Sequence, residues 1–564
     1  MYRIFFHKIR SKHWLTVFGV SLVSCTVMFL GGELYFRSHQ DECVTAHELT
    51  ENIRYECHTQ SAFFRITTRG GKKYLVHDVH TVNLDCMCMR VKGADNDPLM
   101  FPVAKDPSKK RIVVLGESSA VLLGWGIDRV IRRSPESRDY EVMNCALGAS
   151  NLTMLERMFD EVNRYSPDLI IVYFGNNCHY NLWRLPRRYY PLYWVGLVAQ
   201  KSALLSIPFN RIPYRYHAET FSSPQRLAGY ENFLTRLGEY TRQNKVSALI
   251  CTVPVNMLFW GGDRPYDEEL VFEPQWLYVV GRKQEAIGLL QKGLASARHP
   301  WPHYLMGEWM RRGSRCAEAY RHYRRALDLR MDGSGENLIS PTIINEMIRR
   351  KCREEGLMLA DLAMAIPRVS ECGIPGWDVF SDYCHARDSF ADYEAALVLD
   401  VLKREEGAQG GAWDIPVSDR LPSANAFFSR LQVPGDIDWN RVPVLFRSVV
   451  HDEIKGEGEL IRSIHDWIES NRKGKPARDV AVEYLVLGEL CRYLDRDEEA
   501  VGYLKTAGRE DPGWEEPDFQ AGVCHLKRDH REEARSAFER AHSLNPRRRD
   551  IAYFLDRLTG ERRE

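Results

Sequence analysis

Apolar and polar positions along this chain follow three different patterns. The first is unbroken: from Trp14 to Gly32 no charged residue occurs across 19 positions. As a helix that run is about 28 Å long, close to the hydrocarbon thickness of a bilayer. The second pattern is a series of short apolar runs separated by amphipathic stretches. Arg111–Leu115, Tyr140–Asn144, Asp168–Phe174, Ser247–Val253 and Leu357–Leu362 read as strands, with helical periodicity around 152–165, 229–243 and 343–355 between them. Strands apolar on both faces and alternating with helices predict a parallel sheet covered on both sides, an α/β fold.

The third pattern is helical with small residues at fixed intervals. Gly488, Ala500, Leu504, Ala507 and Pro512 recur as Gly522, Ala534, Phe538, Ala541 and Pro546, each displaced by 34. Gly307, Ala319, Tyr323 and Ala326 keep the same internal spacing, with Ala286 and Leu290 one repeat earlier. Small residues let paired helices approach, a large one fills the gap, and proline stops the second helix. The period and pattern resemble the tetratricopeptide (TPR) repeat, two antiparallel helices per unit, whose surfaces imply a protein partner. The C-terminal set is expected to pack on helices from 420–475.

The chain then divides into an N-terminal segment and anchor (1–37), a small β-rich lead-in (38–105) and a first core part (106–262). A repeat-like helical insertion (263–337), a second core part (338–405), a linker with helices (406–475) and C-terminal repeats (476–564) follow.

Composition sharpens this picture in places. The chain has 564 residues, 44% hydrophobic and 27% charged, ordinary globular values that exclude a mainly disordered, collagen-like or multi-spanning protein. Lys+Arg and Asp+Glu are each 77, so the net charge is zero and no nucleic-acid partner is expected. Local charge says more. Arg3, Lys8, Arg10 and Lys12 precede the apolar run, and Glu33, Arg37, Asp41 and Glu42 follow it. This asymmetry predicts a single-pass, uncleaved signal anchor with its N-terminus in the cytoplasm and the remainder extracytoplasmic, as in a bacterial inner membrane facing the periplasm. Leu22-Val23-Ser24-Cys25 resembles a lipobox, but apolar residues continue through Leu30, which favours the anchor over lipidation.

Of 14 cysteines, Cys43, Cys57, Cys86 and Cys88 cluster in the first exported segment and are the expected disulfide formers. Cys86-x-Cys88 stands alone, so no metal is expected. No glycine-rich phosphate loop follows the first strand, and no cofactor is expected.

Candidate chemistry gathers at the carboxyl ends of the predicted strands, where open α/β sheets bind ligands. Ser118, in Gly116-Glu117-Ser118-Ser119, follows the first of them. A serine hydroxyl needs a base to attack at neutral pH. His385 can take its proton, and Asp382, three residues earlier, can hold the other ring N–H and stabilise the imidazolium. An oxyanion needs donors fixed in advance: the Asn177 amide, the Ser118 N–H, and the N–H of Gly148 or Ala149 after Asn144. Helix capping is the ordinary alternative for Ser118 and Asp382, and an αL turn for Asn177. Cys178 and Cys384 flank the site, and Tyr180 and Trp260 are candidate pocket walls.

These blocks resemble the SGNH (GDSL-like) hydrolase superfamily, in particular its membrane-anchored members with TPR repeats. Gly116-Glu117-Ser118 looks like the nucleophile block, Gly175-Asn176-Asn177 like the asparagine block and Asp382-Tyr383-Cys384-His385 like the terminal Asp-x-x-His block. Cys251–Asn256 looks like the strand end before the helical insertion, and the resemblance covers about 100–262 and 338–405. It implies a flavodoxin-like three-layer core and esterase, lipase, thioesterase, deacetylase or O-acyltransferase chemistry. Four positions depart from the superfamily pattern: Ala149 where a glycine is usual, Cys178 where an acid is common, and Ala386-Arg387 in place of the usual proline-containing turn after the histidine. The resulting expectation is a membrane-tethered serine esterase or O-acyltransferase acting on an ester-bearing substrate, with envelope polysaccharide or lipid suggested by location alone. The alternative is a weakly catalytic or non-catalytic TPR scaffold of an envelope assembly.

Overall fold

Burial on both faces is what a parallel strand demands, and it marks the centre of this computed structural model. The structure describes residues 64–77, 100–134, 138–148, 150–178, 223–258, 269–297, 299–333, 340–376, 379–380, 383–405 and 457–560. The chain forms two compact units, one of 1–105, 151–165 and 180–222, the other of 106–150, 166–179 and 223–564.

In the first unit, β1 (Phe64–Arg69), β2 (Lys72–His77) and β3 (Met100–Pro102) form an antiparallel sheet in that order. Gly70 and Gly71, at φ +56° and +75°, make the two-residue turn that pairs Arg69 with Lys72. Both turn positions need a left-handed backbone, which glycine adopts at no steric cost. The helix Leu152–Val162 belongs to the same unit, and Glu161 accepts the Phe64 N–H at 3.2 Å.

In the second unit, β4 (Lys110–Gly116), β5 (Tyr140–Asn144), β6 (Leu169–Tyr173), β7 (Ser247–Cys251) and β8 (Met358–Ala360) form a parallel sheet in the order β5-β4-β6-β7-β8. All five residues of β6 are buried, as are six of the seven of β4. The path steps one way from β4 to β5 and the other way from β6 through β8. Right-handed crossovers therefore put helix Ser118–Arg133 on one face and helices Ser223–Asn244 and Pro341–Glu355 on the other. Helix Asp388–Glu405 packs on Ser118–Arg133. Gly126 permits that approach, since a Cβ there would stand 2.4 Å from the Ala391 carbonyl. The order reversal beside β4 places its carboxyl end at a topological switch point.

Between β7 and β8 the chain leaves the sheet for helices Glu269–Val279, Lys283–Gly293, Trp301–Arg312 and Cys316–Gly333. After residue 457 come Glu457–Asn471, Ala477–Tyr493, Asp497–Glu510, Glu515–Lys527, Arg531–Leu544 and Arg549–Thr559. Three glycines do the same job in three helical hairpins. A Cβ on Gly307, Gly488 or Gly522 would lie 3.0, 2.8 or 2.5 Å from Tyr323, Leu504 or Phe538, each sixteen positions on.

The C-terminal helices pack on Glu457–Asn471, as Ile461, Ile464 and Ile468 show, and also on the insertion. Phe272 meets Tyr553 at 5.7 Å and Trp276 meets Phe554 at 5.4 Å, while Glu273 accepts from Tyr553 and Arg557. Two helical sets far apart in sequence thus share one hydrophobic core.

A disulfide joins Cys316 to Cys372 with 5.0 Å between their Cα atoms. Cys43, Cys57, Cys86 and Cys88 lie outside the described residues, as does the apolar run Trp14–Gly32. Among the described residues no helix is long and apolar enough to cross a membrane.

One core carboxyl stands alone. Glu394, on helix Asp388–Glu405, is fully buried, and neither oxygen has a hydrogen-bond partner among the described residues. Burial pushes it up from 4.5 to about 8. The folded chain thus holds a proton that the unfolded chain releases above its ordinary value, so Glu394 makes stability fall as pH rises from about 4.5 to about 8. Glu394→Gln is expected to match wild type in thermal unfolding at pH 5 and to melt several degrees higher at pH 8.5, measured by circular dichroism.

Candidate active site

Strand β4 ends at Gly116, whose φ of +144° turns the chain sharply into the helix beginning at Ser118. No side chain fits there: a Cβ would lie 2.0 Å from the Tyr173 carbonyl oxygen on the neighbouring strand. The turn sets Ser118 in the first turn of the helix, with Glu117 rather than Ser118 at the N-cap. Ser118 is not a cap; its Oγ lies 2.6 Å from His385 Nε2. Two residues 267 apart in sequence are therefore in hydrogen-bond contact, both buried.

Glu117 does not cap its own helix either. Its Oε1 accepts the Asn176 N–H at 2.8 Å and its Oε2 accepts the Asn177 N–H at 2.7 Å. Burial pushes this carboxyl up to about 8, against the pull of the backbone donors at Asn177, Asn176 and Gly175. The loop after β6 is thus wrapped around an acid. Gly175, at φ +156°, starts that loop, and the Cys178 N–H closes it onto the Gly175 carbonyl at 3.2 Å.

Asn177 is 3% exposed, and its Nδ2 donates to the Ser150 carbonyl at 3.1 Å. A primary amide carries two N–H groups, so this bond fixes the plane and leaves the second for another acceptor. Ser150 is fully buried and sends its Oγ to the Gly116 carbonyl at 3.0 Å, and the Leu147 N–H reaches the same oxygen at 3.1 Å. Gly148 lies in the turn between those two anchors, and among the described residues nothing accepts its N–H. Ala149 and Asp382 lie outside the described residues, as do Tyr180 and Trp260.

Ser119 links the remaining parts. Its Oγ donates to the Cys384 carbonyl at 3.2 Å and accepts from Asn176 Nδ2 at 3.3 Å, bridging the asparagine loop to the histidine loop. The Cys384 thiol lies 3.9 Å from His385 Nδ1. Cys178 is buried, and burial followed by the Glu117 charge pushes its thiol well up, away from the thiolate a nucleophile needs. Among the described residues no three His, Cys, Asp or Glu side chains converge to hold a metal.

The structure brings Ser118, His385, Asn177, Leu147, Gly148 and Ser150 to one sheet edge. Sequence reasoning missed Glu117, Ser119 and Ser150 as structural members of that edge. Nothing in the local sequence sets these three apart from ordinary polar residues of a strand-to-helix turn.

No family model matches the sequence, and no characterised protein matches it at the sequence level. Solved structures similar to it include an acetyl xylan esterase, 11% identical with a TM-score of 0.26, covering 51% of this chain and 98% of that one. A GDSL-like lipase from Bacteroides thetaiotaomicron is 10% identical with a TM-score of 0.25, covering 52% of this chain and 89% of that one. An α/β-hydrolase enzyme from the metagenome of Lake Arreo, Spain, is 12% identical with a TM-score of 0.27, covering 54% of this chain and 97% of that one.

Glu117 offers a test that needs no substrate. In Glu117→Gln one oxygen becomes an NH2 facing a backbone N–H, which leaves a buried donor without an acceptor. The variant is expected to lose about 1–3 kcal/mol in urea unfolding. It is also expected to lose amide hydrogen-exchange protection at Asn176 or Asn177, read by mass spectrometry.

Proposed function

We propose that this chain is a serine hydrolase of the esterase class, with Ser118 as nucleophile and His385 as base. The observation that carries this reading is the 2.6 Å contact between Ser118 Oγ and His385 Nε2 at the carboxyl edge of a parallel sheet. It is supported by an amide donor, Asn177, with one N–H committed and one uncommitted, and by the Gly148 N–H.

The reaction follows from the chemistry of these groups. Ser118 Oγ attacks the ester carbonyl carbon as its proton passes to His385 Nε2. The carbonyl π electrons move to oxygen, and the oxyanion is held by the Ser118 N–H, Asn177 Nδ2 and an N–H of Gly148 or Ala149. Collapse breaks the ester C–O bond, and the departing alkoxide takes the proton from His385, leaving acyl-Ser118. A second hydroxyl, deprotonated by His385, attacks the acyl carbon, and the same proton returns to Ser118 Oγ. Asp382 is assigned the orienting role at His385 Nδ1.

Water as the second hydroxyl makes the protein an esterase, and a sugar hydroxyl makes it an O-acyltransferase. The superfamily assignment, the TPR identity of the helical array and the membrane tether through Trp14–Gly32 belong to this proposal. An acylated envelope polysaccharide or lipid is the substrate class that fits an extracytoplasmic site.

Fluorophosphonate labelling of the purified protein tests the reading. Wild type is expected to take one label on Ser118, Ser118→Ala none, and His385→Ala to react at least about 1000-fold more slowly. A folded wild type that takes no label sinks the proposal.

A further inference from the structure

His385 sits at the end of a segment with little regular structure of its own. Between β8 and helix Asp388–Glu405, residues 362–376 are short helical turns and bends, and Phe380–Ala386 is a single isolated bridge. The Arg387 N–H to the Val379 carbonyl, at 2.9 Å, closes that bridge. A histidine that must meet Ser118 Oγ to within a fraction of an ångström needs firmer support than this.

The support comes from the repeat insertion. Tyr304, on helix Trp301–Arg312, donates its hydroxyl to the Leu258 carbonyl at 3.0 Å, in a buried contact. Leu258 lies in the loop that leaves β7, and its N–H is held by Asn256 Oδ1 at 3.0 Å. That loop pairs with the histidine segment: the Asn256 N–H donates to the Tyr383 carbonyl at 2.9 Å, and the Met257 N–H to the Pro375 carbonyl at 2.8 Å. Tyr383 stands two residues before His385.

A second grip lies upstream. Cys372 is disulfide-bonded to Cys316, the first residue of repeat helix Cys316–Gly333, and Ile374 is buried in the core of the repeats beside Met257 and Leu258. The histidine segment is thus held on one side by Ser119, through the Cys384 carbonyl, and on the other by the helical array.

We propose that the repeat insertion is a working part of the active site: Tyr304 and the Cys316–Cys372 cross-link are positioning elements that set His385 against Ser118. The inference rests on the serine-hydrolase reading above. Neither element touches substrate. Both act through the backbone that carries the base, so a shift of the repeats reaches His385.

The test is the rate and pH profile of fluorophosphonate labelling of the full chain. Tyr304→Phe removes one hydroxyl and keeps the ring contacts with Trp301 at 5.6 Å and Tyr323 at 5.3 Å. It is expected to slow labelling by about 3- to 30-fold and to move the pH midpoint of labelling, with the probe concentration at half saturation unchanged. Tyr503→Phe, in the same array but outside this chain of contacts, is expected to leave rate and midpoint at the wild-type values. A Tyr304→Phe protein with wild-type rate and midpoint overturns the proposal. If that variant does not fold, Cys316→Ala/Cys372→Ala decides by the same criterion. A folded wild type that takes no label at any pH overturns the hydrolase reading and this one together.

Discussion

A carboxyl group sealed from water stands directly before Ser118, and the sheet edge is organised around it. Burying an acid is costly unless donors surround it, and Glu117 has two backbone N–H groups at 2.8 and 2.7 Å. Consecutive N–H groups converge on one acceptor only when the backbone curls into a nest. Gly175, at φ +156°, allows that curl, and the same curl turns the Asn177 side chain toward Ser150. An internal carboxyl group therefore shapes this loop in the absence of any substrate. Preorganisation of this kind is what stabilising a transient oxyanion requires, because donors already in place need not reorganise during reaction.

The sheet was legible because its strands are buried on both faces. Val113, Ile171 and Leu249 each sit in an unbroken apolar run, and each occupies the middle of a parallel strand. The spacing of Gly488 to Leu504 and Gly522 to Phe538 was legible for a related reason: the packing partner lies on the adjacent helix of the same hairpin. Ser118 and Asn177 could be picked out by their places after strand ends, and His385 by its Asp-x-x-His spacing before a helix, although only the folded chain puts Oγ and Nε2 in contact. Glu117 could not be assigned in this way. A glutamate after a strand resembles any solvated turn residue until the neighbouring loop closes over it.

Tertiary closure was the least legible level. Nothing in the local pattern around Glu273 distinguishes it from the other exposed-face glutamates of a helix, yet it accepts from Tyr553 and Arg557 near the far end of the chain. Cysteine clustering singles out Cys43, Cys57, Cys86 and Cys88, which lie outside the described residues, and it says nothing about Cys316 and Cys372, 56 residues apart and in different structural elements. Such a pair shows no spacing signature. The insertion departs from the carboxyl end of β7, the same edge that holds Ser118, so the helical array and the candidate chemistry begin side by side.

The clasp between helices Glu269–Val279 and Arg549–Thr559 also bears on how the protein is made. About 270 residues separate the two helices. At about 5–20 residues per second, the ribosome delivers the second about 15–50 s after the first. Throughout that interval Phe272 and Trp276 lack the aromatic partners that later cover them. The nascent insertion thus carries an apolar face with nowhere to go, a natural landing place for a holdase chaperone and a point where two chains could cross-pair.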